Sequence, residues 1–161
     1  MIQLATLCYI EKDGKTLMLE RGKKIGDIHR GKFNGLGGKL EVGENPEQCV
    51  VREVFEESGL HIDKPDLVGL LTFPKFTKNQ DWRVYVYKAS KFSGTITESA
   101  EGELSWQPTN KLHSLPLWEG DRYFLRWIEQ RKFFVASFYY EEKILQKFQV
   151  QFRDNPTMHF A

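Results

Sequence analysis

The stretch from Phe33 to Leu60 constrains this chain more than any other, because it writes a loop, a helix start and a helix stop in succession. FNGLGGKLEVGEN, residues 33–45, is too dense in glycine and asparagine for regular helix and implies tight turns with special backbone angles. Asn45 then has the chemistry of an N-cap, Pro46 suits the first helical position, and Gln48 stands where a capping-box partner reaches back. The helix is expected to run to about Ser58, with Gly59 as its left-handed stop. Within it Glu53, Glu56 and Glu57 are related by i, i+3 and i+4 and share one face. Val50, Val51, Val54 and Phe55 centre on a nearly opposite face that can be buried.

Around this unit the chain alternates short strands with a second helix. Leu4 to Ile10 and Thr16 to Leu19 flank an Asp13-Gly14 turn and read as a hairpin. Residues 21–32 form a polar, mostly basic loop. Leu67 to Phe73, Arg83 to Tyr87 and Leu104 to Trp106 read as strands, and Phe124, Leu125, Trp127 and Ile128 mark a helix over 121–130. Phe133 to Tyr140 and Lys143 to Phe152 form a closing hairpin around Glu141-Glu142. Mixed strands with two helices imply a layered α/β domain. At 161 residues the chain is long enough to bury a core without disulfides, and no linker or repeat divides it. One domain over residues 1–154 is expected, with 155–161 a flexible tail.

Composition narrows the partners. The net charge of +1 gives no overall field to recruit nucleic acid or an acidic membrane, so a polyanion must be held locally. Cys8 and Cys49 lack metal or redox spacing and fit buried reduced thiols of a cytosolic protein. The N-terminus reads as a strand rather than a signal peptide, and no apolar run is long enough to span a bilayer. A soluble cytoplasmic protein is expected, with no membrane and no stable nucleic-acid partner.

Three carboxylates on one helix face repel at a few tenths of a kcal/mol per pair. A hard divalent cation offsets that repulsion, since Mg²⁺ prefers oxygen ligands and bridges carboxylates to phosphates. The glycine loop adds backbone able to approach metal or phosphate closely. Taken singly, the glutamates read as a solvated face and Arg52 as a surface ion pair. The joint pattern of Gly38, Glu44, Arg52, Glu53, Glu56, Glu57 and Gly59 decides otherwise, because chance would produce it at a given start roughly once in 10⁸.

That pattern resembles the Nudix box, GX5EX7REUXEEXGU with U aliphatic, without a departure. The resemblance implies a Nudix fold, a mixed β-sheet sandwiched between α-helices, and a pyrophosphohydrolase that uses Mg²⁺, with Mn²⁺ as a substitute. Carried over by position, the Gly38 carbonyl and the carboxylates of Glu53, Glu56 and Glu57 ligate metal. Glu44 and Arg52 brace the loop and helix, Arg52 by pairing with a catalytic carboxylate. A metal-acidified water would lose its proton to Glu57 or Glu53. A further acidic ligand is expected from ESAEGELSW, where Glu101 is a better match than Glu98 or Glu103.

Outside the box, FNGLGGK, LPLWEGDRYF and the aromatic closing hairpin resemble the MutT-type purine nucleoside triphosphatases. By that resemblance Asn34, Trp118 and Asp121 read and cover a purine, with Thr6, Phe73 and Trp82 lining the pocket. Arg21, Gly37, Gly38 and Lys39 are the expected phosphate contacts. Each has a plainer reading too: Asn34 as a turn residue, Trp118 and Phe73 as core, Asp121 as a helix cap. One departure stands out. The animal sequences carry two adjacent acids where this chain has Gly120-Asp121, with Glu119 just before. The expected activity is hydrolysis of a purine nucleoside triphosphate to monophosphate and pyrophosphate, with 8-oxo-dGTP as substrate and sanitation of the nucleotide pool, a branch of DNA repair, as role. Alternatives are a dinucleoside polyphosphate, a nucleotide sugar such as ADP-ribose, an RNA 5′ end, or a nucleotide-binding module without catalysis. A monomer and a homodimer are both compatible with the sequence.

Overall fold

The first strand, β1 (Ile2–Lys12), buries residues on both of its faces. Cys8 and Ile10 belong to one core cluster and Tyr9 to the other, as the period of two along a strand requires for a strand inside a sheet covered on both sides. A computed structural model gives these positions for residues 1–77 and 79–154. The tail proposed for 155–161 lies outside the described residues.

β2 (Lys15–Arg21) returns from β1 through Asp13 and Gly14, whose φ values are 52° and 74°. β3 (Phe33–Asn34), β5 (Asp66–Thr77), β6 (Gln80–Ala89), β9 (Phe133–Glu141) and β10 (Ile144–Arg153) complete the order β10-β9-β5-β6-β1-β2-β3. β8 (Gly102–Pro108) pairs with β2 off that path. The β1–β6 and β5–β9 pairs are parallel and the remaining pairs antiparallel, so the sheet is mixed. β4 (Leu60–Ile62) and β7 (Phe92–Gly94) make a separate two-stranded sheet.

Helix α1 (Pro46–Ser58) covers one face, where its Val50 and Val54 meet Cys8, Ile10 and Leu17. Helix α2 (Glu119–Glu129) covers the other, where Phe124, Trp127 and Ile128 meet Tyr9, Phe134 and Phe138. The expected sandwich is what forms. The start of α1 is as the residues dictate: Asn45 accepts from the Gln48 N–H and Gln48 accepts from the Asn45 N–H, each at 2.9 Å. Gly59 closes the helix at φ 80°.

Four details differ from the sequence reading. Phe55 is 46% exposed, stacked on His61, because the helix rests on Cys49, Val50, Val54, Glu57 and Ser58 instead. That stripe draws Glu57 to the buried side. The closing turn falls on Glu142 and Lys143, one residue later than expected, with φ values of 50° and 69°; left-handed backbone at both central residues matches the twist of the flanking strands. α2 starts two residues early, capped at Trp118. The short β3, β4 and β7 were not anticipated, since two or three residues carry no periodicity, and neither was a 3-10 helix at Thr109–Ser114.

Replacing Asn45 by Ala removes the bond that its side chain accepts from the Gln48 N–H and is expected to cost about 1 kcal/mol, or roughly 2–4 °C in Tm. A thermal melt indistinguishable from wild type would show that the box adds nothing to stability.

Candidate active site

Residues 36–40 run alongside the first half of β1. Thr6 N–H donates to Gly38 O at 2.8 Å, Leu40 N–H donates to Leu4 O at 3.1 Å, and Cys8 and Leu36 exchange bonds in both directions. A Cβ at Gly37 would lie 2.1 Å from the Thr6 carbonyl oxygen, and one at Gly38 would lie 2.4 Å from the carboxyl carbon of Glu53. Only glycine lets the loop come this close to strand and helix at once. Thr6 Oγ1 stands 3.3 Å from the Gly38 oxygen and 3.4 Å from Cys49 Sγ. Both cysteines are free and buried, as expected.

Arg52 ties the loop to the helix. Its Nε and one terminal nitrogen grip both oxygens of Glu44 at 2.7 and 2.9 Å. That terminal nitrogen also donates to Lys39 O, and the other one reaches Glu53 at 2.8 Å and Glu56 at 3.1 Å. The Arg52 hydrogen bonds and the Glu41 N–H hold the Glu44 carboxyl down to about 2. A bidentate arginine–carboxylate pair fixes geometry as well as charge.

Glu57 is the most deeply buried of the three helix carboxylates, 8% exposed, and accepts the Gly37 N–H at 2.8 Å. Burial raises its proton affinity strongly, and Glu101 beside it raises it further. Glu53 is raised as well, chiefly by burial, with Arg52 opposing. Glu101 arrives through the β2–β8 ladder, where Arg21 faces Gly102, and Gly22 and Lys23 N–H both donate to its carbonyl. Glu98 instead pairs with Lys23 and Glu103 is exposed. Of the three acids weighed in that segment, the fold brings Glu101 to the helix.

These groups suit a hard divalent cation: all are oxygen donors, and two carboxyls are pressed together where a positive charge would relieve them. As placed, Glu53 and Glu56 each give one oxygen to Arg52, and no three His, Cys, Asp or Glu side chains among the described residues form an ion-holding group. The second oxygens of Glu53 and Glu56 have no hydrogen-bond partner among the described residues.

Beside the glycine loop opens a cavity of about 170 Å³, lined by Thr6, Arg21, Asn34, Gly37, Gly38, Phe73, Trp82, Trp118 and Asp121. Nine of the ten residues expected to contact substrate thus share one wall. Lys39 lies in an adjoining outer groove of about 840 Å³, its ammonium 5.5 Å from the Trp82 ring centroid. Arg21 pairs with Asp27 at 2.8 Å and approaches Glu101 at 3.8 Å. The Asn34 amide nitrogen is buried without a hydrogen-bond partner among the described residues. Asp121 is 7% exposed in the first turn of α2, and its carboxyl has no hydrogen bond among the described residues. It does not cap the helix. Burial pushes it up to about 7, against the pull of Lys32 and Arg122.

Sequence reasoning missed His29, Phe76 and Tyr140, which also line the cavity. His29 Nδ1 accepts from the Trp118 indole at 2.8 Å, and burial lowers the imidazole to about 4, keeping it a neutral acceptor. Phe76 stacks edge-on to Trp118 and Tyr140 at 5.3 and 5.6 Å. The available signal was the aromatic content of the 73–82 hairpin, whose arms extend beyond the apolar run.

A family model described as the NUDIX domain matches residues 1–128. The chain is 34% identical over 130 residues to the uncharacterized Nudix hydrolase YvcI of Bacillus subtilis (strain 168), covering 77% of each chain. It is 30% identical over 139 residues to the oxidized purine nucleoside triphosphate hydrolase of Danio rerio, covering 86% of this chain and 87% of that one. Its structure superposes on the crystal structure of a Mutator MutT protein from Bacillus halodurans with a TM-score of 0.82 and 25% identity, over 92% of this chain and 97% of the other. No helix among the described residues is long and apolar enough to cross a membrane.

Asp121 couples stability to pH. Its ordinary value is 3.8 and its folded value about 7, so between those limits the folded chain holds a proton that the unfolded chain has released. Stability therefore falls as pH rises through that window, by up to about 4 kcal/mol, and the loss is complete above it. Asp121→Asn should gain stability relative to wild type between pH 4.5 and 8 in urea titrations. Parallel profiles for the two proteins would contradict the shift.

Proposed function

Because the chain belongs to the Nudix hydrolases, enzymes that act on pyrophosphate bonds, we propose that it hydrolyses a purine nucleoside triphosphate to monophosphate and pyrophosphate, with 8-oxo-dGTP as the preferred substrate. The observation that carries this reading is a shared wall. Gly37 and Gly38 line the same cavity as Asn34, Trp118 and Asp121, so a base held there has its phosphates led onto the glycine loop and the glutamate face of α1. The likeness to the Danio rerio enzyme supports the oxidised-purine preference.

Each residue has a task in this scheme. Phe73 and Trp118 sandwich the base, a purine needing an aromatic partner. Asn34 offers its free amide to the rim, and Asp121, with a carboxyl near neutrality, donates or accepts there. Thr6 and Trp82 complete the walls. Arg21 and Lys39 meet phosphate oxygens, and the cation–π contact of Lys39 holds it at the rim until they arrive. Gly38 O, Glu53, Glu56, Glu57 and Glu101 would hold Mg²⁺, or Mn²⁺ in its place, which when bound neutralises phosphate oxygens and lowers the pKa of water. Glu57 or Glu53 takes the proton from the attacking water. Arg52, fixed by Glu44, orients Glu53. Such an enzyme needs neither membrane nor nucleic-acid partner, works in the cytoplasm as a single domain over 1–154, and protects the nucleotide pool from which DNA is made.

The test is hydrolysis of 8-oxo-dGTP, dGTP, dATP, ADP-ribose and diadenosine tetraphosphate, with and without Mg²⁺, read as pyrophosphate for the triphosphates and as phosphate after a phosphatase step for ADP-ribose and the dinucleotide. Metal-dependent release with the highest kcat/KM for 8-oxo-dGTP is expected. Equal values for 8-oxo-dGTP and dGTP would remove the oxidised-base preference, and turnover led by ADP-ribose or the dinucleotide would remove the pocket assignment. Glu57→Gln and Glu53→Gln should each lower kcat at least 10²-fold, the scale of general-base loss, with circular dichroism unchanged. Near-wild-type rates in both would refute the proton-transfer scheme.

A further inference from the structure

Gly120, where the resembled animal sequences carry an acid, is closed to any side chain. Its N–H donates to the Tyr140 hydroxyl at 2.7 Å, and a Cβ there would lie 2.7 Å from that oxygen and 2.8 Å from Phe138 Cδ1. Both contacts are rigid aromatic atoms from β9, so a carboxylate at 120 requires Tyr140 to leave. The phenol occupies the room that the missing acid would need, and it lines the cavity with Asn34 and Asp121.

What the phenol presents there is different from what an acid presents. Its oxygen accepts from Gly120, and its own proton has no acceptor among the described residues. Burial and the nearby Asp121 carboxyl push its pKa well above the usual range, so that proton stays on. The unpartnered Asn34 amide is a second donor. A buried donor without a partner is costly, and the Asn34 amide together with the free phenol proton calls for acceptors on whatever enters the cavity. A carbonyl oxygen on a purine is such an acceptor, and the 6-amino group of adenine, itself a donor, is not.

We infer that Tyr140, anchored by the Gly120 N–H, is a specificity-determining residue that donates to an oxo oxygen on the purine rim and so favours oxopurines over dATP. The inference rests on the proposal that this cavity takes a purine triphosphate. It leaves Asp121 as the single carboxyl at the base, the phenol supplying a neutral contact where a second acid stands in the resembled sequences.

The experiment measures kcat/KM for dGTP, 8-oxo-dATP and dATP with wild type and Tyr140→Phe. Wild type should prefer at least one oxo substrate to dATP, and Tyr140→Phe should cut that preference about three- to tenfold, the effect of one hydrogen bond. A Tyr140→Phe enzyme in which all three values fall by the same factor, or none falls, would overturn the inference, because a hydroxyl that only braces the start of α2 cannot tell substrates apart. Should the variant fail to fold, wild type decides. Equal values for dGTP and 2-aminopurine deoxyriboside triphosphate, and for 8-oxo-dATP and dATP, would overturn it; a loss in each analogue lacking the oxygen supports it. Wild type that turns over ADP-ribose but no purine triphosphate would refute the purine reading itself and this inference with it, a result separable from the ratio change.

Discussion

The seating of residues 36–40 against β1 is the contact on which the site depends. A strand edge offers N–H and C=O groups that must be paired, and here the glycine loop pairs them: Thr6 with Gly38, Cys8 with Leu36, Leu4 with Leu40. Because Gly37 and Gly38 lack side chains, the same backbone lies against the Glu53 carboxyl and gives Gly37 N–H to Glu57. The loop thereby fixes where α1 sits on the sheet and stands between the carboxylates and the cavity. Shift it by an ångström and both halves of the site lose their common border.

Charge is handled in two ways around that border. On the outer side Arg52 binds Glu44, Glu53 and Glu56 together, and the Glu44 carboxyl is held low. On the inner side the buried Glu57 lies beside Glu101, and burial together with that neighbour raises its proton affinity. Carboxylates so crowded are unfavourable for folding alone. Their arrangement has physical sense as a place prepared for positive charge, and the family membership agrees with it.

The cavity beside the loop leaves polar groups unpaired in a similar way. The buried Asn34 amide nitrogen and the Asp121 carboxyl have no hydrogen-bond partner among the described residues, while Trp118 is held by His29 and ringed by Phe76 and Tyr140. Rigid aromatics give shape, and unpaired polar atoms give selectivity, since any incoming group that fails to pair them leaves a desolvation cost standing.

The chain's local chemistry determined α1 from Asn45 to Gly59, the hairpin at Asp13-Gly14, the longer strands and the two α-helices in their order, and the spacing of Glu53, Glu56 and Glu57 along the helix. Caps, turn residues and side-chain periods are short-range, so neighbours in sequence suffice to specify them. Tertiary structure decided the rest. It turned Glu57 inward and Phe55 outward, because the sheet, not the helix, selects which stripe is buried. It carried Glu101, the acid that the resemblance had favoured, to the helix through the register of β8 on β2. It brought Tyr140 onto Gly120, residues twenty positions apart on different elements. Contacts of that kind are set by packing between a strand and a helix, and no window of sequence contains both partners and the geometry that joins them.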